Sequence, residues 1–209
     1  MPGAGTLIYE ASSIMEFDEL KQDIFKALER AHQGTRKNLD ESLTEFLGDL
    51  KIILSVEMIL VYVVPPGLRD LPSARVVAVA GASLEREEYS FLPSALAAAL
   101  MQSTETSVQI NEAGLSMKEI LPVLANRVLQ GVAVTMQVGK WANGVLLIAG
   151  NALEISDSFK DVLISVARRL AVAINHRRAY ELLATSRLIT AVEYAGEAIQ
   201  IADADGFIE

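Results

Sequence analysis

The chain has 209 residues and contains no cysteine. Disulfides, thiolate metal ligands and cysteine nucleophiles are therefore excluded together. Histidine is scarce, with two residues, and the sequence holds no Walker loop, no glycine-rich phosphate cradle and no metal triad. These absences remove the usual starting points for catalysis, and we predict that the chain is not an enzyme and binds no metal.

Long apolar runs and an excess of basic charge are also missing. No run reaches the roughly 20 residues of a membrane-spanning helix, and the first residues lack the pattern of a signal peptide, so we expect a cytoplasmic protein with no membrane contact in this segment. The net charge of −9 argues against nucleic acid, because phosphate contacts need clustered Lys and Arg. The basic pairs Arg168–Arg169 and Arg177–Arg178 are interpreted as solvated helix faces rather than as a phosphate site.

The residues that are present predict a globular core. Hydrophobic residues make up 51% of the chain and charged residues 22%, which is typical of a folded domain. Residues 1–38 are predicted to form a leader followed by an amphipathic helix, with apolar residues recurring every three or four positions from Ser13. A second amphipathic segment runs from Leu39 to Leu50, with Gly48 as an internal weak point. The sequence leaves open whether these are two helices or one bent rod.

Two strands are predicted next. Val56–Val64 is almost continuously apolar and stops at Pro65–Pro66–Gly67, which favours a central strand covered on both faces. Arg75–Ala80 reads as a second strand, and the short connection favours an antiparallel pair.

A helix, a short strand and another helix follow. The first helix is predicted over Ser90–Gln102, with Pro93 near its first turn, and the strand over Ser107–Ile110. The next helix is predicted over Ser116–Arg127, where Ser116 and Glu119 have the spacing of a capping box. Pro122 falls inside this pattern, so we expect a kink or a broken turn there.

The last part of the pattern is a hairpin and a long helix. The apolar runs Val132–Val138 and Val145–Ala149 predict a β-hairpin whose turn holds Asn143–Gly144, with Trp141 in that turn. Ser156 is the predicted N-cap of the long helix, with Asp157 in its first turn.

This order of elements resembles a GAF domain, a small-molecule sensor module of signalling proteins. The resemblance covers about residues 39–180 and rests on spacing and on two phrases, GVLLIAGN and ISDSFKDVLISVARRLAVAINHRR. It implies an α/β (α+β) sandwich over residues 39–183: a central antiparallel sheet of five to six strands with helices on both faces and long N- and C-terminal helices.

The final residues resemble the beginning of a PAS domain. Asp203, Asp205, Gly206 and Ile208 match its Asp-x-Asp-Gly-x-Ile phrase, after a strand predicted over Ala198–Ala202. We interpret the two aspartates as part of a tight turn rather than as a calcium loop, because the further ligands are missing. The resemblance implies that residues 184–209 are a connecting helix and a truncated PAS domain of a longer bacterial multidomain protein.

The GAF resemblance also implies a ligand pocket between the sheet and the helices that follow the second strand. Without cysteine, thioether attachment of a bilin and cysteine-based methionine sulfoxide reduction are excluded, and the family's cyclic-nucleotide phrase has no counterpart. We expect no cofactor, and the small-molecule ligand stays unidentified. The pocket candidates suit an adaptable cavity or plain core, and are Tyr89, Phe91, Met101, Met117 and Met136.

The long helix predicts a parallel homodimer. Between Val162 and Ile174 the polar residues occupy an arc of about 100°, which leaves an apolar face more than twice as wide as one sheet covers. The amphipathic N-terminal helices can cover part of the excess, and a second copy of the chain the remainder. Beyond Tyr180, apolar residues at heptad spacing form a weak coiled-coil seam. The residues predicted to contact the second copy are Val166, Leu170, Ile174, Leu182, Ile189 and Val192.

These expectations combine into two function hypotheses. The first is a regulatory sensor of a two-component or related signalling system, which relays binding through its C-terminal helix to a histidine kinase or a cyclic-dinucleotide enzyme. The second is a ligand-free dimerisation and spacer domain. His176 lies on the polar arc of the long helix and is interpreted as a solvated residue rather than as a phosphoacceptor or a haem ligand, and His32 as a helix-end cation.

Overall fold

The computed structural model describes residues 22–24, 26–27, 29, 39–81, 90–121, 130–139, 141–151 and 155–200. At residues 39, 40, 42, 141, 181 and 191–200 it describes the backbone alone. The chain divides into two compact units, residues 1–171 and residues 172–209, which are described separately below. Tyr89, His32 and the aspartates of the PAS-like phrase lie outside the described residues.

The described part of the chain holds ten named elements. The helices are α1 (Leu39–Leu54), α2 (Ser94–Gln102), α3 (Met117–Ile120) and α4 (Asp157–Gln200), with a 3-10 helix at Leu71–Ser73. The strands are β1 (Met58–Val63), β2 (Arg75–Ala80), β3 (Ser107–Gln109), β4 (Gln130–Val138) and β5 (Trp141–Gly150). Residues 22–24, 26–27 and 29 are also helical, and α1 runs through Gly48 without a break.

The five strands form one antiparallel sheet in the order β2-β1-β5-β4-β3. β1 and β5 lie at its centre, with Ile59 opposite Ile148 and Leu60 opposite Leu147. All six residues of β1 are buried, as expected for a strand that is covered on both faces. The predicted fold class, an antiparallel sheet in an α/β sandwich, is confirmed.

One face of the sheet, which we call the cluster face, packs against α2, α3 and the 3-10 helix. Because successive side chains of a strand point to opposite faces, alternate residues of β1 and β5 reach it: Met58, Leu60 and Tyr62 from β1, and Val145, Leu147 and Ala149 from β5. Their partners from the covering elements include Leu71, Leu96, Leu100, Met117 and Ile120. Together these side chains form the hydrophobic core on the cluster face.

The opposite face, which we call the helix face, carries the remaining residues of the central strands. It presents Ile59, Val61, Val132, Val134, Met136, Leu146 and Ile148, each 0% exposed. α1 packs against β1 and β2. The buried apolar side chains of α1 and of residues 159–170 of α4 lie outside the core of the cluster face, and we infer that these two helices cover the helix face.

The helix predicted from Ser90 begins at Ser94 instead. The four residues before it run along the edge strand β2: the amide of Val76 donates to the Ser90 carbonyl over 3.0 Å, and the amide of Leu92 donates to the Ala74 carbonyl over 2.9 Å. Backbone groups used in this pairing cannot also start a helix, so the tertiary contact shifts the helix start past Pro93.

α3 is shorter than predicted. The capping box of Ser116 and Glu119 is present, and the amide of Ser116 donates to Glu119 Oε2 over 3.2 Å. The helix ends at Ile120, and Leu121 has φ −135 and ψ 81. A residue before proline is driven out of the helical region by the proline ring, which explains a stop before Pro122. Residues 122–129 lie outside the described residues.

The hairpin turn follows Val138 at Gly139, and Asn143–Gly144 lies inside β5, so the predicted turn is wrong. Val138 pairs with Trp141, and Gly139 has φ +64, a conformation that glycine adopts without strain. Trp141 is accordingly the first residue of β5. Asn143 is unpaired between Gln137–Ala142 and Met136–Gly144, which is the arrangement of a β-bulge.

α4 begins as predicted and continues further than predicted. The amide of Phe159 donates to Ser156 Oγ over 3.2 Å, so Ser156 is the N-cap. The helix then runs to Gln200. The strand predicted over Ala198–Ala202 is therefore wrong for its first three residues, which are helical, and its last two residues lie outside the described part.

Candidate functional site

Four of the five residues predicted to line a ligand pocket lie in the described part of the chain, and they are not brought together. Met117 is buried in the core of the cluster face, whereas Met136 is buried on the helix face, so the sheet lies between them. Phe91 and Met101 are exposed, at 56% and 64%. Period-two alternation decides this separation: Ala133 reaches the cluster face, and Met136, three positions on, reaches the other.

Phe91 has a packing role at the sheet edge. It forms an isolated bridge with Arg75 at the start of β2, and the Arg75 guanidinium carbon lies 5.1 Å from the centre of its ring. This is the geometry of a cation–π interaction. The ring is thereby held against the edge strand, with 56% of its surface exposed.

Met117 is tightly packed core. A Cβ atom added to Gly131 would lie 2.6 Å from Met117 Sδ and 2.7 Å from Ile110 Cδ1. α3 therefore approaches the backbone of β4 as closely as a glycine permits. Around Gly131 the cluster face is closely packed by Met117 and Ile110.

Asn143 is the polar group that the sequence interpretation placed wrongly. Its carbonyl accepts a hydrogen bond of 2.8 Å from the amide of Val64, just past the end of β1. Its side-chain Nδ2 is buried and has no hydrogen-bond partner among the described residues. A buried amide without a partner is costly and is a candidate contact for a ligand acceptor. An Asn–Gly pair inside a run long enough for a strand is a signal for a bulge and could have located it.

The first half of α4 is covered within a single chain. Val166 and Leu170 are 0% exposed and Ile174 is 1% exposed. The prediction that a second copy covers these three residues is therefore wrong. The width of an apolar arc indicates how much of a helix surface must be buried. It does not indicate whether the burying residues belong to the same chain or to a second copy.

The second half of α4 is different. Every described side chain from Ala179 to Thr190 is exposed. Leu182 and Ile189, two of the predicted dimer residues, are 65% and 54% exposed, whereas the side chain of Val192 lies outside the described part. His176 is exposed as well, which confirms its interpretation as a solvated residue. Three further large apolar side chains, which the sequence interpretation did not single out, are exposed here: Tyr180, Leu183 and Leu188.

One titratable group, the Asp70 carboxyl, has a shifted pKa. Asp70 accepts a hydrogen bond from the Ser73 hydroxyl at the start of the 3-10 helix, and this bond lowers the pKa of the Asp70 carboxyl. Among the described residues no group of three acidic or histidine side chains is placed to hold a metal ion. No helix in the described part is both long enough and apolar enough to cross a membrane.

The arrangement of sheet and helices is the fold of GAF domains. The GAF domain of a phosphoenolpyruvate-protein phosphotransferase from Coxiella burnetii superposes with a TM-score of 0.57 at 15% identity, covering 78% of this chain and 98% of that one. The GAF domain of A. aeolicus nlh2 in an inactive state gives 0.54 at 18% identity, covering 78% and 98%. A phycocyanobilin-bound GAF domain of a cyanobacterial phytochrome gives 0.52 at 12% identity, covering 78% and 96%. No family model and no curated protein matches the sequence.

Proposed function

We propose that this chain is a regulatory sensor module of a signalling protein, in which binding of a small molecule at the sheet is passed outward along α4. The fold supports this proposal, since one structure of the same fold holds a bilin and another is described in an inactive state. The observation that carries it is the continuity of α4: one helix has a buried first part and an exposed second part.

A continuous helix transmits rotation and translation with little loss. The 29 residues from Val172 to Gln200 extend over about 43 Å at 1.5 Å per residue. A small movement of the buried part, where Val166 and Leu170 pack, would therefore reposition Leu182 and Ile189. A ligand can drive such a movement only if it binds two arrangements of the helix with different affinity.

The ligand contact we propose is Asn143. Its buried Nδ2 lacks a partner among the described residues, so a carbonyl or carboxylate oxygen of a small molecule would supply the missing acceptor. Covalent attachment through a thioether is excluded because the chain has no cysteine. The output domain, such as a histidine kinase or a cyclic-dinucleotide enzyme, belongs to the same proposal and rests on the sequence resemblance alone.

Thermal unfolding against a panel of nucleotides, amino acids and metabolites tests the proposal. A ligand at a hundred times its Kd adds about 2.7 kcal/mol, which raises the midpoint of a domain of this size by roughly 5–11 °C. The variant Asn143→Leu should lose this response while staying folded. The matched control Asn111→Leu changes an exposed asparagine of a turn and should keep it. A response that survives Asn143→Leu would rule out the proposed contact.

A structural role as a spacer is the second candidate, and the packing of Met117 against Gly131 favours it. A core that is already filled by side chains leaves less room for a ligand. The same panel separates the two functions. A flat midpoint across all compounds, together with a self-associating chain, supports the spacer and contradicts the sensor.

A further inference from the structure

Two polar side chains lie close together at one end of the cluster face. Thr135 of β4 pairs with Val145 of β5. It follows Ala133, a residue of the core of the cluster face, by two positions, so its side chain points to that face. Asn143 precedes Val145 by two positions on the neighbouring strand. It is therefore a diagonal neighbour of Thr135, at a distance of about 7–8 Å.

The side chain of Asn143 points to the same face. β5 pairs with β1 without a register shift, and the Asn143 carbonyl continues that ladder. Because Val145 belongs to the core of the cluster face, alternation along the ladder directs Asn143 there as well. The adjacent Ala142 also packs against this core. We call Thr135 and Asn143 the polar pair.

The polar pair is shielded from water and lies apart from the closely packed end of the face. Thr135 is 7% exposed, and the Nδ2 atom of Asn143 is buried without a hydrogen-bond partner among the described residues. Gly131, against which Met117 packs, precedes Thr135 by four residues of β4, or about 13 Å. Tyr62, which pairs with Val145 from the side of β1, is 0% exposed. The pair therefore presents hydrogen-bonding groups in an apolar setting.

The buried groups of this part of the chain carry no charge. Among the described residues, the buried polar or charged side chains are Ser107 and Thr135, and neither is ionised. A carboxylate or phosphate moved from water to the polar pair would meet no buried cation, and an unpaired buried ion costs far more than an unpaired neutral group. The Asn143 amide and the Thr135 hydroxyl can each donate one hydrogen bond, which matches the two lone pairs of a carbonyl oxygen.

We propose that the ligand sensed at this sheet is an uncharged, largely apolar molecule with a carbonyl group, whose oxygen accepts from both members of the polar pair. This inference rests on the proposed function, because it names the class of ligand for the same site. The apolar remainder of the ligand lies against core residues such as Tyr62 and Leu147. Esters, lactones, ketones and primary amides belong to this class, whereas nucleotides, free amino acids and carboxylates do not.

Thermal unfolding of the full chain with matched neutral and charged compounds tests the ligand class. The neutral probes are methyl benzoate, methyl hexanoate, hexanamide and 2-heptanone, and their charged counterparts are benzoate and hexanoate. We expect a saturable rise of the midpoint with the neutral compounds. The carboxylates should bind at least about 100-fold more weakly, because their charge is unpaired in the site.

The outcomes separate the ligand class from the sensor itself. A saturable rise with a carboxylate or a nucleotide, lost in Asn143→Leu, overturns the ligand class and leaves the proposed sensor standing. The absence of a rise with any neutral compound also overturns the ligand class. If the nucleotides, amino acids and carboxylates are silent as well, the sensor is contradicted together with it.

Two hydroxyl variants test the polar pair. Thr135→Val removes a hydroxyl and keeps the shape of the side chain, so the affinity for the neutral compounds should fall about 2- to 10-fold, as expected for one lost hydrogen bond. Ser107→Ala is the matched control, because Ser107 is 6% exposed but pairs with Val134 on the helix face. It should bind as the wild type does. An unchanged affinity in Thr135→Val, or an equal loss in both variants, would contradict the polar pair.

Discussion

Gly144 is a position where replacing glycine by alanine should strongly destabilise the fold. It lies in β5 between Val63 of β1 and Met136 of β4. A Cβ atom at this position would clash with the carbonyl oxygen of Tyr62 and would lie 2.7 Å from Met136 Cε. The methionine can move its flexible end, but the carbonyl oxygen belongs to the backbone of the central strand. Gly144→Ala therefore forces β5 away from β1.

The expected loss of stability follows from the displacement of the backbone of β5 away from β1. Overpacking of a filled interior costs about 1–3 kcal/mol, and a clash with backbone in the middle of a sheet belongs at the upper end of that range. We expect Gly144→Ala to lower the free energy of unfolding by about 3 kcal/mol, equivalent to a fall in Tm of roughly 6–12 °C for a domain of this size. Urea unfolding followed by far-ultraviolet circular dichroism measures the free energy of unfolding of the wild type and of the variant on the same scale.

Gly48→Ala is the control, and it should raise the free energy of unfolding instead of lowering it. Gly48 lies inside α1, and a Cβ atom there would meet nothing within 4 Å. Alanine is the better helix former, so this variant should gain about 1 kcal/mol. If Gly144→Ala stays within about 0.5 kcal/mol of the wild type, a typical bound for uncoupled surface changes, then β5 does not approach β1 as described and the register of the central pair is wrong.

Three smaller changes test the local chemistry. Ser156→Ala removes the oxygen that accepts from the amide of Phe159 and should lower stability by about 1 kcal/mol in urea unfolding; an unchanged midpoint would mean that the cap contributes nothing. Asn143→Leu removes a buried amide that has no partner among the described residues, so the unliganded variant should be as stable as the wild type or about 1 kcal/mol more stable, and a clear loss would reveal a partner outside that part of the chain. Ser73→Ala should raise the pKa of Asp70 toward its ordinary value in an NMR titration, because the hydrogen bond from the Ser73 hydroxyl lowers that pKa. A carboxyl whose pKa is lowered in the folded state stabilises the fold above its unfolded pKa, and this contribution is lost as the pH falls through the folded pKa. The wild type should therefore lose a small stability advantage over the variant only in acid, and equal Asp70 titration curves would contradict the bond.

Local signals predicted much of the fold. The strand over Arg75–Ala80 was predicted with its observed ends, and Ser156 caps α4 as its spacing indicates. Both depend on interactions within a few residues of chain, which a sequence displays directly. The capping box of α3 and the steric effect of Pro122 on its predecessor are equally local.

The candidate site was less accessible to prediction. The methionines were grouped by residue type and order, but the sheet separates Met117 from Met136. An Asn–Gly pair is a strong hairpin signal and predicts a turn at Asn143, but the chain turns earlier, at Gly139. Neither outcome is visible until the register of β4 against β5 is known.

By itself the sequence determined the order of elements and the antiparallel sheet, because these follow from periodicity and composition along one stretch of chain. Only the tertiary structure decided which apolar residues of α4 are covered within the chain and which stay exposed. The tertiary structure also decided that position 144 must lack a side chain, because the backbone of Tyr62, 82 residues earlier in the sequence, lies against it. Such contacts join distant segments, and their geometry is fixed by the packing of the whole sheet.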